Sequence, residues 1–369
     1  MSNELKSVVI KAVGDVCLAG VDGDPFAYVG DLLKADLVFG NLECCLTHRE
    51  EGRKKNVVFA ADPDTAGHLA RHGFNLICLA NNHVLDFGGP GLTDTLEELE
   101  RRNLPHFGAG RDAKEASAIF HADVNGVRVA VVSTVDAAGA DDGPTVSTLS
   151  TRAMVEAVRR ARDQADIVIV SYHGGTEMEA IPSSFVVRSL RQFIDAGADI
   201  VLGHHPHVLQ AVETCRGGVI AYSLGNFVFD NRRYGDNANL AARSMILEVR
   251  VNVGLDGSTR VEHTLHPVET GPDMKPRPAG GEEAREFETY MKGLRRSLET
   301  IDIDGIDVTR MDGFASEIHT KSWETILRYA VHHRGDFSFR EIVIGGALVI
   351  KHGFNRLLGR GSKPRKRVP

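Results

Sequence analysis

Five short polar stretches carry the residue types that ligate divalent metals or move protons. They are "VGDV" with Asp15, "FGNLE" with Asn41 and Glu43, "LANNH" with Asn82 and His83, "SYHGG" with His173, and "GHHPH" with His205 and His207. Imidazole, carboxylate and amide donors together suit Mn2+, Fe or Zn2+, whereas a soft-metal site would recruit thiolates. The densest cluster is "GHHPHVLQ" (203–210), where Pro206 holds two flanking imidazoles in a fixed relative pose. Crowded imidazoles repel one another once protonated, so metal ligation or proton transfer is the usual reason for such a cluster. Each stretch also has an ordinary reading: Gly-Asp as a turn, Asn-Asn-His as a cap, a single His as a satisfied structural residue. What separates the two readings is where the stretches fall.

All five come at or just after an apolar run. "SVVIKAV" (7–13), "DLVFG" (36–40), "NLICLA" (75–80), "DIVIVSYH" (166–173) and "ADIVLGHH" (198–205) read as strands. In α/β sheets ligands sit at the carboxyl ends of strands, so the five loops are expected to converge on one crevice. Helices are expected at about 62–72, over "GLTDTLEELERR" (91–102), near 150–163 and near 184–195. "HADVNGVRVAVVS" (121–133) reads as a hairpin around Asn125-Gly126. After residue 205 the pattern becomes β-rich, with a second hairpin turning at Gly217-Gly218 and alternating strands "RSMILEVRVNV" (243–253) and "TRVEHTLHPV" (259–268). The fold class is therefore α/β, a sandwich of mixed sheets flanked by helices. Residues 272–280 read as a Pro- and Gly-rich linker, followed by a charged helix at about 281–299 and another near 321–333. This divides the chain into a domain 1–270, a helical extension 271–350 and a basic tail 351–369.

Composition sets bounds on function. The 369 residues are 42% hydrophobic and 25% charged, ordinary for a globular protein. The net charge of −7 argues against nucleic acid as a partner, which needs a basic face. The charge is unevenly spread: residues 351–369 hold seven Lys or Arg and no acid, leaving −14 on residues 1–350. Joined to the apolar run 342–350, that tail reads either as the solvated end of a packed core segment or as a contact with an anionic membrane surface or an acidic partner. Cys17, Cys44, Cys45, Cys78 and Cys215 show no paired spacing and read as reduced thiols, mostly packed. Lys11 and Asp15 interrupt the N-terminal apolar run, and no stretch nears the roughly eighteen apolar residues of a membrane span. A cytoplasmic location is expected.

Taken in order, Gly-Asp, Gly-Asn-x-Glu, Asn-Asn-His-x-x-Asp-x-Gly, His-Gly-Gly-x-Glu, Gly-His-His-Pro-His and Tyr-Ser-Leu-Gly-Asn-Phe resemble the signature of CapA/PgsA-type capsule-synthesis proteins. These are a branch of the calcineurin-like metallophosphoesterases, and the likeness covers about residues 7–267. The resemblance implies a four-layer α/β/β/α sandwich with a metal site at the strand ends. It implies that Asp15 and His207 hold one metal, that Asn82, His173 and His205 hold the other, and that His83 protonates the leaving group. His204 then falls outside the ligand set.

The chain departs from the phosphatase pattern in two places. Asp15 is followed by Val16-Cys17 rather than x-His, and Asn41 stands where a metal-bridging Asp is expected. A neutral amide supplies no charge to offset the repulsion of two dications, and Glu43 is the nearby carboxylate that could replace it. The expectation is one firm divalent ion at Asn82, His173 and His205, with the second site weak or absent. Generic phosphomonoesterase activity is correspondingly disfavoured. Around this set, Glu177 is placed to orient His173 or act as a base, and Asn226 and Tyr222 to bind substrate. "GAGRDAKEA" (108–116) lacks the lysine-serine ending of a phosphate-cradling loop and reads as the start of a helix.

The leading expectation is a metal-assisted hydrolase or transferase acting on a phosphate ester or an amide. The family's link to poly-γ-glutamate points to a peptide or polyglutamate-type substrate. Two alternatives stand beside it. One is an acid/base enzyme with little need of metal, such as a peptide epimerase using Asp15, Glu43 and His83. The other is a non-catalytic partner in a polyglutamate synthesis complex.

Overall fold

Residues of the first strand, β1 (Lys6–Val16), divide between two apolar layers: Val8, Ile10 and Ala12 face one, Val13 and Val16 the other. The split recurs in β2 (Leu37–Leu42), with Leu37 and Phe39 opposed to Val38 and Leu42, and in β3 (Leu76–Cys78), with Leu76 and Cys78 opposed to Ile77. Strands apolar on both faces belong to a sheet covered on both sides, and β1, β2 and β3 do run parallel. The computed structural model describes residues 6–303 apart from 53, 54, 56, 138 and 141. The helix expected near 321–333, the apolar run 342–350 and the basic tail lie outside the described residues.

After β4 (His106–Phe107) the chain builds a second sheet from β5 (Phe120–Val124), β6 (Val127–Val135), β7 (Ile167–His173), β8 (Ile200–His204), β9 (Val212–Cys215) and β10 (Gly218–Ala221). It then returns to the first sheet with β11 (Asn226–Val228), β12 (Arg243–Val253), β13 (Thr259–Thr270) and β14 (Pro276–Pro278). Among the described residues the first sheet runs β14-β13-β12-β1-β2-β3-β4, with β11 parallel beside β1, and the second runs β9-β10-β8-β7-β6-β5. Both are mixed, each with parallel strands at its centre.

The outer faces are closed by helices whose apolar residues recur three and four apart. Ala66 and Leu69 of α1 (Ala66–Arg71) and Leu92, Leu96 and Leu99 of α2 (Gly88–Arg101) pack in one layer with Val38 and Ile77. The α3 helix (Thr151–Arg162) and the α4 helix (Ser184–Asp195) cover the second sheet, capped by Ser150 and Ser183, which accept from the N–H groups of Ala153 and Val186. Such caps contribute about 1 kcal/mol each. The layers are thus helix, sheet, sheet, helix.

Two local expectations need correcting. The first hairpin does turn at Asn125 and Gly126, both at positive φ, as a two-residue turn requires. The second turns at Arg216 and Gly217, one residue early, because Gly218 is already paired with Cys215 in the ladder. The stretch expected to be a linker contains β14, which pairs antiparallel with Val268–Thr270; its prolines are tolerated there because the strand lies at the sheet edge. Beyond it, Phe287, Met291, Leu294 and Leu298 of α5 (Gly281–Glu299) join the same core as the second sheet. No helix among the described residues is long and apolar enough to cross a membrane. The five cysteines are free, four of them buried.

Candidate metal centre

The strand ends meet because two glycines let backbones approach closely. A Cβ on Gly14 would lie 1.9 Å from the Gly225 carbonyl oxygen, and one on Gly203 would lie 2.0 Å from that of Tyr222. No other residue fits either place. Each glycine directly precedes a site residue, Asp15 or His204. Register then sets Asp15 of β1 beside Asn41 of β2 and Asn226 of β11, while His173 of β7 lies beside His204 of β8. A hydrogen bond from His204 Nδ1 to Asp15 Oδ1 (3.1 Å) joins the second sheet to the first.

Asp15 is fully buried and fully engaged. Its carboxylate also accepts from Asn41 Nδ2 (2.8 Å) and the main-chain N–H of His205 (3.3 Å), and lies 3.4 Å from His207 Nδ1. Burial alone would push this carboxyl up, but His204 and His207 outweigh it and hold it well below the usual range. Glu43 is the opposite case. It is equally buried, neither oxygen has a hydrogen-bond partner among the described residues, and burial followed by the charge of Asp15 pushes its carboxyl well up. Its Oε1 lies 3.6 Å from His173 Nε2 and 3.8 Å from His207 Nε2. A buried carboxyl without donors is costly, and a cation between it and the imidazoles would remove the cost.

Burial disfavours the charged forms of His173 and His205, whose ring nitrogens share one ligand group with Glu43. Burial and then the neighbouring His205 hold His173 well below its ordinary value; its Nε2 is 2.9 Å from Asn82 Oδ1 and its Nδ1 is 3.3 Å from Asn41 Nδ2. His205 is pushed down to about 4 by burial and by His207, and its Nδ1 has no partner among the described residues. The turn that presents this pair is strained. His205 and His207 have φ of 95° and 59°, a region that side-chain-bearing residues rarely adopt, at a typical cost of about 1–3 kcal/mol each. His207 Nδ1 is 2.8 Å from Asn226 Oδ1, and the His205 ring lies 5.0 Å from that of His173 and 5.8 Å from that of His207.

Two inner ligand groups result, Glu43–His173–His205, in which His205 is half-buried, and the buried Asp15–Glu43–His207, each with its ligand atoms within 4.8 Å of one another. Glu43 belongs to both. A third group, Glu177–His205–His207, lies on the outer side, where Glu177 is exposed. The imidazole nitrogens and carboxylate oxygens of these groups are donors that suit a divalent ion. Asn41 is engaged at both amide atoms, its Oδ1 accepting from Asn81 Nδ2 (3.1 Å) while its Nδ2 donates to Asp15, and it belongs to neither inner ligand group. His204 is buried with its Nδ1 on Asp15 and its ring stacked on Phe39.

Beside this cluster, His83 Nδ1 donates to Asp86 Oδ2 (2.7 Å), which also accepts from the Phe59 N–H, while Lys55 Nζ reaches Asp86 Oδ1. Asn81 Oδ1 accepts from the N–H groups of His83 and Val84 and so shapes the turn. Tyr222 is the expected site residue that the fold takes elsewhere. Its hydroxyl donates to Glu213 (2.7 Å), itself paired with Arg191, which makes it a satisfied core aromatic rather than a substrate contact. Sequence reasoning missed Asn81 and Lys55; the doubled asparagine was the one signal available. A cleft of about 270 Å³ is lined by Gly174 and Gly175, which follow His173 in the chain, and by Ile181, Pro182, Val186 and Gln210 among others.

A family model described as "Bacterial capsule synthesis protein PGA_cap" matches residues 10–231. The "Capsule biosynthesis protein CapA" of Bacillus anthracis is 37% identical over 219 residues, 56% of this chain and 53% of that protein. The "PGA biosynthesis protein CapA" of Bacillus subtilis is 36% identical over 214 residues, 56% of each. A "Probable polyglutamine synthesis accessory protein" of Mycobacterium tuberculosis is 30% identical over 240 residues, 60% of this chain and 63% of that protein. The chain thus spans about half the length of the Bacillus relatives it matches.

Proposed function

The chain belongs to the bacterial capsule synthesis protein family, and on that premise we propose that it is a metal-assisted hydrolase or transferase acting on a peptide or polyglutamate-type chain, at an amide or a phosphate ester. The observation that carries this reading is Glu43, a buried carboxyl without donors that belongs to both ligand groups. Glu43, His173 and His205, with Asn82 alongside, would hold one divalent ion, and Asp15, Glu43 and His207 a second. Bound there, such ions supply Lewis-acid polarisation of a phosphoryl or carbonyl oxygen and a lowered pKa for water. Asp86 fixes His83 by its Nδ1, which leaves Nε2 as the nitrogen that gives a proton to the departing group. The cleft beside Gly174 and Gly175 would take the continuing substrate chain.

The test is metal analysis of purified protein together with turnover of a γ-glutamyl oligomer and an aryl phosphate. His173→Ala is expected to lose bound ion and activity together. His83→Ala is expected to keep the ion and lose about 10²–10⁴-fold in rate. Full turnover after exhaustive chelation would defeat the proposal. The acid/base alternative draws less support, because Asp15 and Glu43 are both fully buried and Asp15 is saturated with donors. A non-catalytic role is favoured by one observation, the word "accessory" in the printed name of the mycobacterial relative. Undiminished polymer production by cells carrying the His173→Ala and His83→Ala variants would select it.

A further inference from the structure

The tight helical turn Asn231–Asn237 runs along the outer side of the centre. Buried Asn231 ties it down: its Oδ1 accepts from Asn226 Nδ2 (2.8 Å), and Asn226 Oδ1 meets His207. Two residues on, exposed Arg233 sets its guanidinium carbon 4.6 Å from the centroid of the Phe59 ring, 5.6 Å from that of Tyr234 and 5.9 Å from that of Phe229. The same rings wall the site. Phe59 lies 4.5 Å from the His83 ring, and Phe229 and Tyr234 lie 4.9 Å and 5.6 Å from that of His207.

Arg233 therefore rests on the rings that contact both the proton-donating histidine and His207 of the ligand groups. Its neighbour Arg232 is paired with Asp230, but among the described residues no carboxylate lies within ion-pair distance of Arg233. Stacking on aromatic faces restrains the guanidinium plane while leaving its edge donors available, and that edge matches an oxyanion in a two-bond fork. Asp230, the carboxylate whose charge Arg233 feels, is already paired with Arg232, so the Arg233 edge stays available to an anion, which a neighbouring centre suited to dications would also attract.

We propose that Arg233 anchors an oxyanion of the substrate beside the reacting bond. This deepens, and rests on, the reading of the centre as one that acts on a polyglutamate-type chain, with a side carboxylate of that chain as the expected group and a phosphoryl group as the other source. Calorimetric titration of the metal-loaded full chain tests it with three probes: a γ-glutamyl oligomer, the same oligomer with its carboxylates converted to amides, and inorganic phosphate. Arg233→Gln is expected to weaken the carboxylate oligomer at least tenfold, leave the amidated one unchanged and retain the bound metal. Arg233→Lys, which keeps the charge without the fork, is expected to restore part of the loss. A loss confined to inorganic phosphate would assign the oxyanion to a phosphoryl group. Unchanged affinity for both anions, equal weakening of the amidated oligomer, or a wild-type chain that binds neither anion would overturn the proposal. Turnover measured in parallel separates the two readings, since oligomer bound through Arg233 but never cleaved defeats the hydrolase while leaving the anchor in place.

Discussion

Asp15 and Glu43 are both buried at the same strand ends, yet their surroundings drive them to opposite protonation states. Asp15, lowered by its histidines, contributes stability that is present above the ordinary Asp range and is lost as pH falls through its folded value. Glu43, raised by burial and by Asp15, works the other way: without metal, stability is lost as pH climbs from the ordinary Glu range toward the raised value. Ion-free Glu43→Gln is thus expected to melt higher than ion-free wild type at neutral pH. Metal uptake by wild type is expected to release a proton that the variant does not release, read from the dependence of calorimetric heat on buffer ionisation enthalpy. Equal proton release in both proteins would contradict this. The histidines and Glu43 were legible in the sequence because strand ends bracket them. Arg233 and Lys55 were not, since neither a short kinked turn nor an irregular stretch carries a periodicity that marks which side chains reach the site. Tyr222 misled because it sits in a site-like motif, while its side chain leads away to Glu213.

Among the elements, Gly203 offers the sharpest test of how the centre is assembled. Its virtual Cβ meets backbone that cannot yield, so Gly203→Ala is expected to destabilise the fold by about 3 kcal/mol, at the upper end for overpacking, and to lower metal retention. Urea unfolding and metal analysis would check both, and a wild-type midpoint would refute the close-approach argument. Helices α2 to α5 were readable because their apolar residues keep helical spacing, and α4 and α5 match the expected bounds. The edge strand β14 was not, because prolines that signal a linker in isolation are also allowed where no ladder donor is needed. The strained turn at His205 and His207 could not be anticipated either, since nothing local in "HHPH" favours positive φ. Contacts from both sheets impose it.

For the whole molecule, the sequence made the α/β class and the mixed sheets plain through alternating strand and helix patterns. The way the chain leaves the first sheet at β4 and returns at β11 was hidden, because long-range pairing leaves no local trace. The basic residues 351–369 lead to one prediction at this scale. The full chain is expected to pellet with liposomes containing anionic lipid and not with neutral ones, and a chain ending at residue 350 to lose that dependence. Indifference to lipid charge would remove the membrane contact.

Both inner ligand groups straddle the two sheets: Asp15 and Glu43 come from strand ends of one, and His173, His205 and His207 from strand ends of the other. A cation gripped there would rivet the two halves of the sandwich together. Sliding one half past the other by an ångström would slacken both coordination shells at once. Parting of the sheets should then release the ion in the same event, with no loosened but still loaded state between them.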